Sequence, residues 1–249
     1  MEGGNFLKNS QIIILGICIA VATIVSSVIL SGGFLKVMKF TKEQISVTGS
    51  ATKEIKSDYI VWTGVIIKRE DDLKAAYRNL KEDLEKTKQY LFSKGVTEEE
   101  LIVYSVFTEI IYKKTEKGNN TNDIQGYRLT QAVEVKSDEV DRVTKIAQES
   151  TELIEQGIQF GSNAPEYFYK KLDELKLEML SKATENAKQR AENMAKATGN
   201  KIGFMRSARM GVFQITPVTS TDVSDWGTND TTSLDKKVMA VVSVSFGIE

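Results

Sequence analysis

Residues 165–199 read PEYFYKKLDELKLEMLSKATENAKQRAENMAKATG, and the rest of the chain is organised around this stretch. Pro165 suits a first helical position, and Gly199 suits the left-handed cap past a helix end. Apolar residues fall at Leu172, Leu175, Met179, Ala183, Ala187, Ala191 and Met194, six steps over 22 residues, or about 3.67 each. That period belongs to a straight helix and not to a left-handed coiled coil. At about 1.5 Å per residue, a helix over the whole stretch would be roughly 50 Å long, more than the width of a small domain. Ala183, Ala187, Ala191 and Ala195 make a ridge without bulk, on which another backbone can approach closely. The ridge has two readings: a helix lying on a sheet, or a helix–helix contact between subunits.

Upstream of this helix the pattern changes period several times. Ile45, Val47, Gly49 and Ala51 alternate with Ser46, Thr48, Ser50 and Thr52, the period of a half-buried strand. Lys56-Ser57-Asp58 reads as a turn, and 59–69 as a second strand rich in β-branched and aromatic residues. A helix over 71–94 places Leu73, Tyr77, Leu80, Leu84 and Leu91 on one face, opens on acids and closes at Gly95. Thr97 and Glu100 form a capping-box pair. Strands at 101–112 and 124–135 flank the polar loop 113–123. Ser137 caps a further helix with Val140, Val143, Ile146, Ala147 and Leu153 inward, and 158–160 is a short strand after Gly157.

Residues 59–160 therefore run strand–helix–strand–strand–helix–strand, the split βαβ order of a ferredoxin-like sheet with both helices on one face. Beyond the long helix come strands at 202–215 and 238–248. The last of these is apolar on both faces, which suits a central or covered position. The fold class predicted is α+β: a ferredoxin-like βαββαβ core with an added long helix and two further strands, preceded by one transmembrane helix.

No residue from 9 to 35 is charged, and 11–30 is strongly apolar, enough to cross a bilayer and longer than a signal-peptide core. Ala20-Val21-Ala22 has the form of a cleavage site but lies inside the run, so an uncleaved anchor is expected. Lys8 flanks one side and Lys36, Lys39 and Lys42 the other; taken literally, the positive-inside rule puts the folded part in the cytoplasm. The expected organisation is a tail at 1–10, an anchor at 11–35, a basic juxtamembrane linker at 36–43 and one domain at 44–249 with a mobile polar loop at 217–236.

The 249 residues contain no histidine, and the single cysteine, Cys18, sits in the apolar run. The commonest general base, the usual zinc ligands and an internal disulfide are thereby removed. A net charge of -1 gives no electrostatic case for nucleic acid. No phosphate-binding glycine loop or GxSxG elbow is present, and Asp222, Asp225 and Asp230 do not have EF-hand spacing. No catalytic residue, cofactor or metal site is expected. Trp226, at the centre of the polar loop, is a candidate partner contact. Tyr104, Tyr112, Tyr127, Phe168 and Tyr169 are candidates to line a ligand groove.

Four segments carry a resemblance to a known family: the opening strand Ile45-Ser-Val-Thr-Gly49-Ser-Ala-Thr, Gly126-Tyr127 with the Ala132-Val-Glu-Val135 strand, the alanine-spaced helix leading to Gly199, Ile202 and Gly203, and the closing strand. Together these resemble the SIMPL-domain family, the YggE-like bacterial envelope proteins, over roughly residues 44–248. Ser57-Asp58 stands where the family usually has Pro-Asp. The resemblance implies an extracytoplasmic, envelope-associated protein that forms homo-oligomers, with a link to stress tolerance and no established catalytic residues. This opposes the orientation suggested by the lysines, and the family placement is preferred. The expectation is a membrane-anchored, non-enzymatic scaffold that assembles with itself through Ala183, Ala187, Ala191, Ala195 and Trp226. The alternative is a ligand- or peptide-binding module of the envelope.

Overall fold

The computed structural model describes residues 3–249, with side chains over 13–38 and 43–249. Met1 and Glu2 of the expected tail, and the side chains of Lys8, Lys39 and Lys42, lie outside the described residues. The chain is mixed α+β with two sheets. In order, its elements are α1 (Gly3–Lys42), β1 (Gln44–Lys56), β2 (Tyr59–Glu70), α2 (Leu73–Ser93), β3 (Leu101–Val103), β4 (Phe107–Lys114), β5 (Asn120–Ser137) and α3 (Val140–Glu149). There follow the single turn α4 (Glu152–Glu155), β6 (Phe160–Ser162), β7 (Glu166–Phe168), α5 (Leu172–Ala197), β8 (Ile202–Met210), β9 (Gln214–Pro217), β10 (Thr228–Asn229) and β11 (Asp235–Ile248). Two compact units result. One comprises Met1–Ala51, Leu180–Gly211 and Val241–Glu249, the other Thr52–Met179 and Val212–Ala240.

The larger unit holds a six-stranded sheet in the order β3-β5-β2-β6, with β4 also on β5 and β7 also on β2. All of these pairings are antiparallel. Alternation along β2 sends Ile60, Trp62 and Ile66 inward, where they meet Leu129, Val133 and Val135 of β5. Ala76, Leu80, Leu84 and Leu91 of α2 and Val143 and Ile146 of α3 complete this core. Its one indole is satisfied: Trp62 Nε1 donates to Ser162 Oγ at 3.0 Å, and that hydroxyl donates to the Ala147 carbonyl at 3.0 Å. A second buried group in this unit comprises Ile55, Leu175, Met179, Ile215, Val238 and Ala240. Lys68 of β2 and Asp83 of α2 form an ion pair at 2.6 Å, largely withdrawn from water.

In the smaller unit the end of β11 pairs with β8, Ile248 opposite Ile202 and Val242 opposite Met210, and with β1. Its core is Val47, Ala183, Ala187, Ala191, Ala195, Val242, Val244 and Phe246. The outward side chains are hydroxyls: Ser46 and Ser245 lie 2.7 Å apart, Thr48 and Ser243 3.5 Å. The closing strand is thus central because it pairs on both edges, while its outward face in this unit is polar. Helix α1 runs unbroken from Gly3 to Lys42, so the described part of the expected tail and the expected linker up to Lys42 are helical. Its segment Ile13–Met38 is long and apolar enough to cross a membrane, and none of it is buried.

Several boundaries differ from the sequence reading. Pro165 opens no helix: Glu166–Phe168 pairs with β2 at Tyr59, Ile60 and Val61, and α5 starts at Leu172. With 26 residues α5 is about 39 Å long, not 50. The strand expected over 101–112 breaks after Val103, where the Gln131 amide donates to the Tyr104 carbonyl at 2.8 Å. The strand expected over 202–215 divides into β8 and β9. Ser137 does not cap α3 directly; its hydroxyl accepts from Glu139 N at 3.0 Å, one residue before the helix begins.

Candidate functional site

The alanine ridge has two readings, a helix lying on a sheet or a contact between subunits. Ala183, Ala187 and Ala191 are fully buried and Ala195 nearly so, within their own unit. Opposite them lies Gly49 of β1, where an ideal Cβ would stand 2.7 Å from Ala187 Cα and closer still to Ala187 N and the Ala183 carbonyl. Only glycine on the strand and alanine on the helix permit this approach. Ser50 N donates to Asn186 Oδ1 at 3.2 Å, and Arg190 Nη1 donates to the Thr48 carbonyl at 2.9 Å, fastening α5 to β1. The ridge is therefore core. Of the two readings of its four alanines, this packing is the first, a helix lying on a sheet.

Trp226 stands differently: it is 93% exposed. Its loop is shaped by a buried residue of β9, Gln214, whose amide donates to the Ser224 carbonyl at 2.6 Å. The same side chain's oxygen accepts from Ser224 N at 3.3 Å and from Thr228 Oγ1 at 2.9 Å. Thr228 and Asn229 pair in parallel with Gln214 and Ile215, and Lys237 Nζ donates to the Ser220 carbonyl at 2.7 Å. Stretch 217–236 is thus tied down at several points. The indole and Val223 project from a held loop.

A second apolar surface lies in the same unit, on the side of the six-stranded sheet away from its core. Phe107 pairs with Thr130, which pairs with Ile67, so the three share a face. Val61, Val65 and Ala132 are half-buried on that face, and Phe107 is 68% exposed. Nothing in the sequence reading marked Phe107. The available signal was its place at the same-face positions of a strand expected to be half solvated.

Of the five aromatic residues proposed for a groove, Phe168 and Tyr169 line one cavity of about 70 Å³, with Tyr167, Asp230 and Lys236. Tyr104, Tyr112 and Tyr127 are not among its lining residues. Lys236 is almost completely buried and donates from Nζ to the Tyr167 carbonyl at 2.6 Å and to the Asp230 carbonyl. Burial pushes its ammonium below the usual lysine range, opposed by the Asp230 charge. For Asp230, burial acts upward, but the Thr232 and Ser233 side chains, the Thr232 amide and the Lys236 charge outweigh it and hold the carboxyl below its usual value. The arrangement clamps the loop and leaves room for a few waters rather than a peptide.

A second polar cluster joins Glu100, Ser137 and Arg142. The carboxylate accepts from the Ser137 hydroxyl, from Arg142 Nη2 and, through Oε2, from Thr97 N at 2.9 Å. Burial raises the Glu100 pKa, and the hydroxyl, the amide and the Arg142 charge more than reverse that, leaving it below the usual range. A carboxylate so held is a poor proton acceptor for Ser137. Of the expected capping box only the Glu100 half forms: Glu100 N donates to the Thr97 carbonyl and not its hydroxyl, and the pair closes a turn before β3 instead of opening a helix. Among the described residues no group of three or more His, Cys, Asp or Glu comes together to hold a metal.

Residues 45–246 match the SIMPL family, described as a protein of unknown function (DUF541). The chain belongs to the SIMPL family. A search of curated proteins finds no match. Both the Gly49–Ala187 approach and the Trp226 loop fall inside the SIMPL match, whereas α1 precedes it.

Proposed function

We propose that this SIMPL protein is held in a membrane by α1, with its folded part on the extracytoplasmic side of the cell envelope. It acts there as a self-assembling scaffold with a part in stress tolerance, and not as an enzyme. The observation that carries the reading is α1 itself. Over Ile13–Met38 it offers 26 apolar-rich helical residues with no cover from the rest of the chain, and a bilayer is the environment that suits such a surface. Family membership supports the extracytoplasmic side. Self-assembly is supported by the two uncovered apolar surfaces of the larger unit, the Trp226 loop and the Phe107 sheet face. We read that unit as a ferredoxin-like core, on the strand order β3-β5-β2-β6, the antiparallel pairing and the shared core of α2 and α3.

The test is alkaline carbonate extraction of membranes carrying the full chain, followed by light scattering of the detergent-solubilised protein. Resistance to carbonate and a mass that is a multiple of one chain are expected. Release without detergent, or loss of the N-terminal segment on export, rules out the anchor. A monomer at all concentrations rules out the scaffold.

A further inference from the structure

We propose that the rim of the smaller unit next to α1 is a membrane-surface contact, with Phe204 entering the lipid headgroup region and Lys196 and Lys201 facing lipid phosphates. The inference rests on the reading of α1 as an anchor and adds a second site at which the chain meets the same bilayer.

The placement follows from backbone hydrogen bonds inside one unit. Ile248 N donates to the carbonyl of Glu43, the residue after α1 ends, at 3.3 Å. Ile248 is the register partner of Ile202, and Lys201 and Glu249 exchange backbone bonds at 2.8 and 2.9 Å. Ile202 is thus two strand spacings, about 10 Å, from the end of the helix, and Phe204 is about 7 Å further along β8. The apolar span ends at Met38, only about 7 Å of helix before Glu43. The whole rim therefore sits close to where α1 leaves the bilayer.

The residues at this rim match an interface rather than bulk water. Phe204 is 81% exposed and Met205 57%. Met205 pairs with the buried Phe246, so Phe204 stands on the opposite, outward face of β8. An opening of about 510 Å³ lies where α5 leads into β8, lined by Glu192, Lys196, Gly199, Asn200, Lys201 and Ile202. Lys196 and Lys201 are exposed, and Lys36 belongs to the adjoining helix end. Lysines near an exposed aromatic group form the pattern of an interfacial contact, the apolar tip below the headgroups and ammonium groups level with phosphate. A second copy of the chain would meet Phe204 but gives no reason for its place near the end of α1.

The test uses the full chain in anionic phosphatidylglycerol–phosphatidylcholine vesicles. Cys18 is the only cysteine, so Cys18→Ser with Phe204→Cys provides one thiol for an environment-sensitive nitrobenzoxadiazole label. Integration is checked in the same sample by flotation after carbonate washing. With the chain integrated, spin-labelled lipids carrying a shallow nitroxide should quench the label about twofold, as a group seated ~5–10 Å into the interface requires. Lys196→Glu with Lys201→Glu should reduce that quenching. An integrated chain whose label stays water-like and unquenched overturns the inference and leaves the anchor standing. A label in an apolar setting that lipid does not quench means that another protein surface covers Phe204, and also overturns it. A chain that washes off overturns the anchor, and the rim contact falls with it.

Discussion

The approach of β1 to α5 gives the sharpest prediction. Replacing Gly49 by alanine puts a methyl group 2.7 Å from Ala187 Cα and nearer to two other backbone atoms of α5. Backbone cannot swing aside as a side chain can, so strand or helix has to shift as a whole. Overpacking of this kind costs about 1–3 kcal/mol, and a backbone obstacle argues for the upper end. In a protein of this size each kcal/mol lowers Tm by about 2–4 °C, so Gly49→Ala should melt about 6–12 °C below the parent. The assay is thermal unfolding of the detergent-solubilised chain by circular dichroism, with mass measured in parallel.

The double variant Gly49→Ala/Ala187→Gly sharpens the test. The obstructing atoms are backbone, so trimming the Ala187 methyl should not restore stability. Ala187→Glu, which buries an unpaired carboxylate in the same contact, should prevent folding instead of releasing folded monomers. Gly49→Ala melting within about 1 °C of the parent, or Ala187→Glu giving a folded monomer from an oligomeric parent, would refute the assignment of the ridge to core.

Three further outcomes are expected. Asp83→Ala strands the Lys68 ammonium and should destabilise the chain by about 3 kcal/mol in denaturant titration, whereas the joint change Lys68→Met/Asp83→Leu should restore most of that loss. Glu100 has a folded pKa below its unfolded one, so its contribution is present above the ordinary carboxylate range and fades as pH falls through the folded value; stability measured against pH should decline less steeply on acidification in Glu100→Gln than in the parent. Trp226→Ser, at a side chain 93% exposed, should leave Tm within about 1 °C while lowering the oligomer fraction seen by light scattering; an unchanged fraction removes this loop from the interface.

The 3.67 period of the long helix was legible in the sequence; for Trp226 only its place in a polar loop was, since the indole could equally have folded back on its own domain. What the ridge packs against was legible only jointly. Gly49 occupies an inward position of its alternating strand, where a larger residue is ordinary, and the ridge offers alanine at every fourth residue. Each is weak alone; together they specify a backbone-to-backbone contact. At Pro165 the rule for first helical positions competed with the strand preference of Tyr167 and Phe168, and pairing with β2 won. The hairpin reaches Lys114 and Asn120, past the expected ends of its strands, because ladder bonds depend on backbone while the pattern reads side chains. Gln214 was missed because a buried glutamine resembles a surface one until its three loop partners are known.

With the ridge used internally, the proposed self-assembly would have to draw on smaller surfaces, and their size bears on mechanism. A tryptophan buries about 150–250 Å² on docking, or roughly 4–6 kcal/mol gross at about 25 cal/mol/Å². Losing translational and rotational freedom costs about 4–15 kcal/mol, so Trp226 alone cannot hold copies together in dilute solution. The Phe107 sheet face supplies a second contact in the same unit. In the proposed scaffold, confinement by α1 would supply the rest: copies whose anchors share a plane meet at far higher effective concentration than free ones. Apolar patches of this modest size are what such confinement permits, since larger ones would bring the chains together before they reached the membrane. On the proposed reading, the anchor would be part of the assembly mechanism as well as an address.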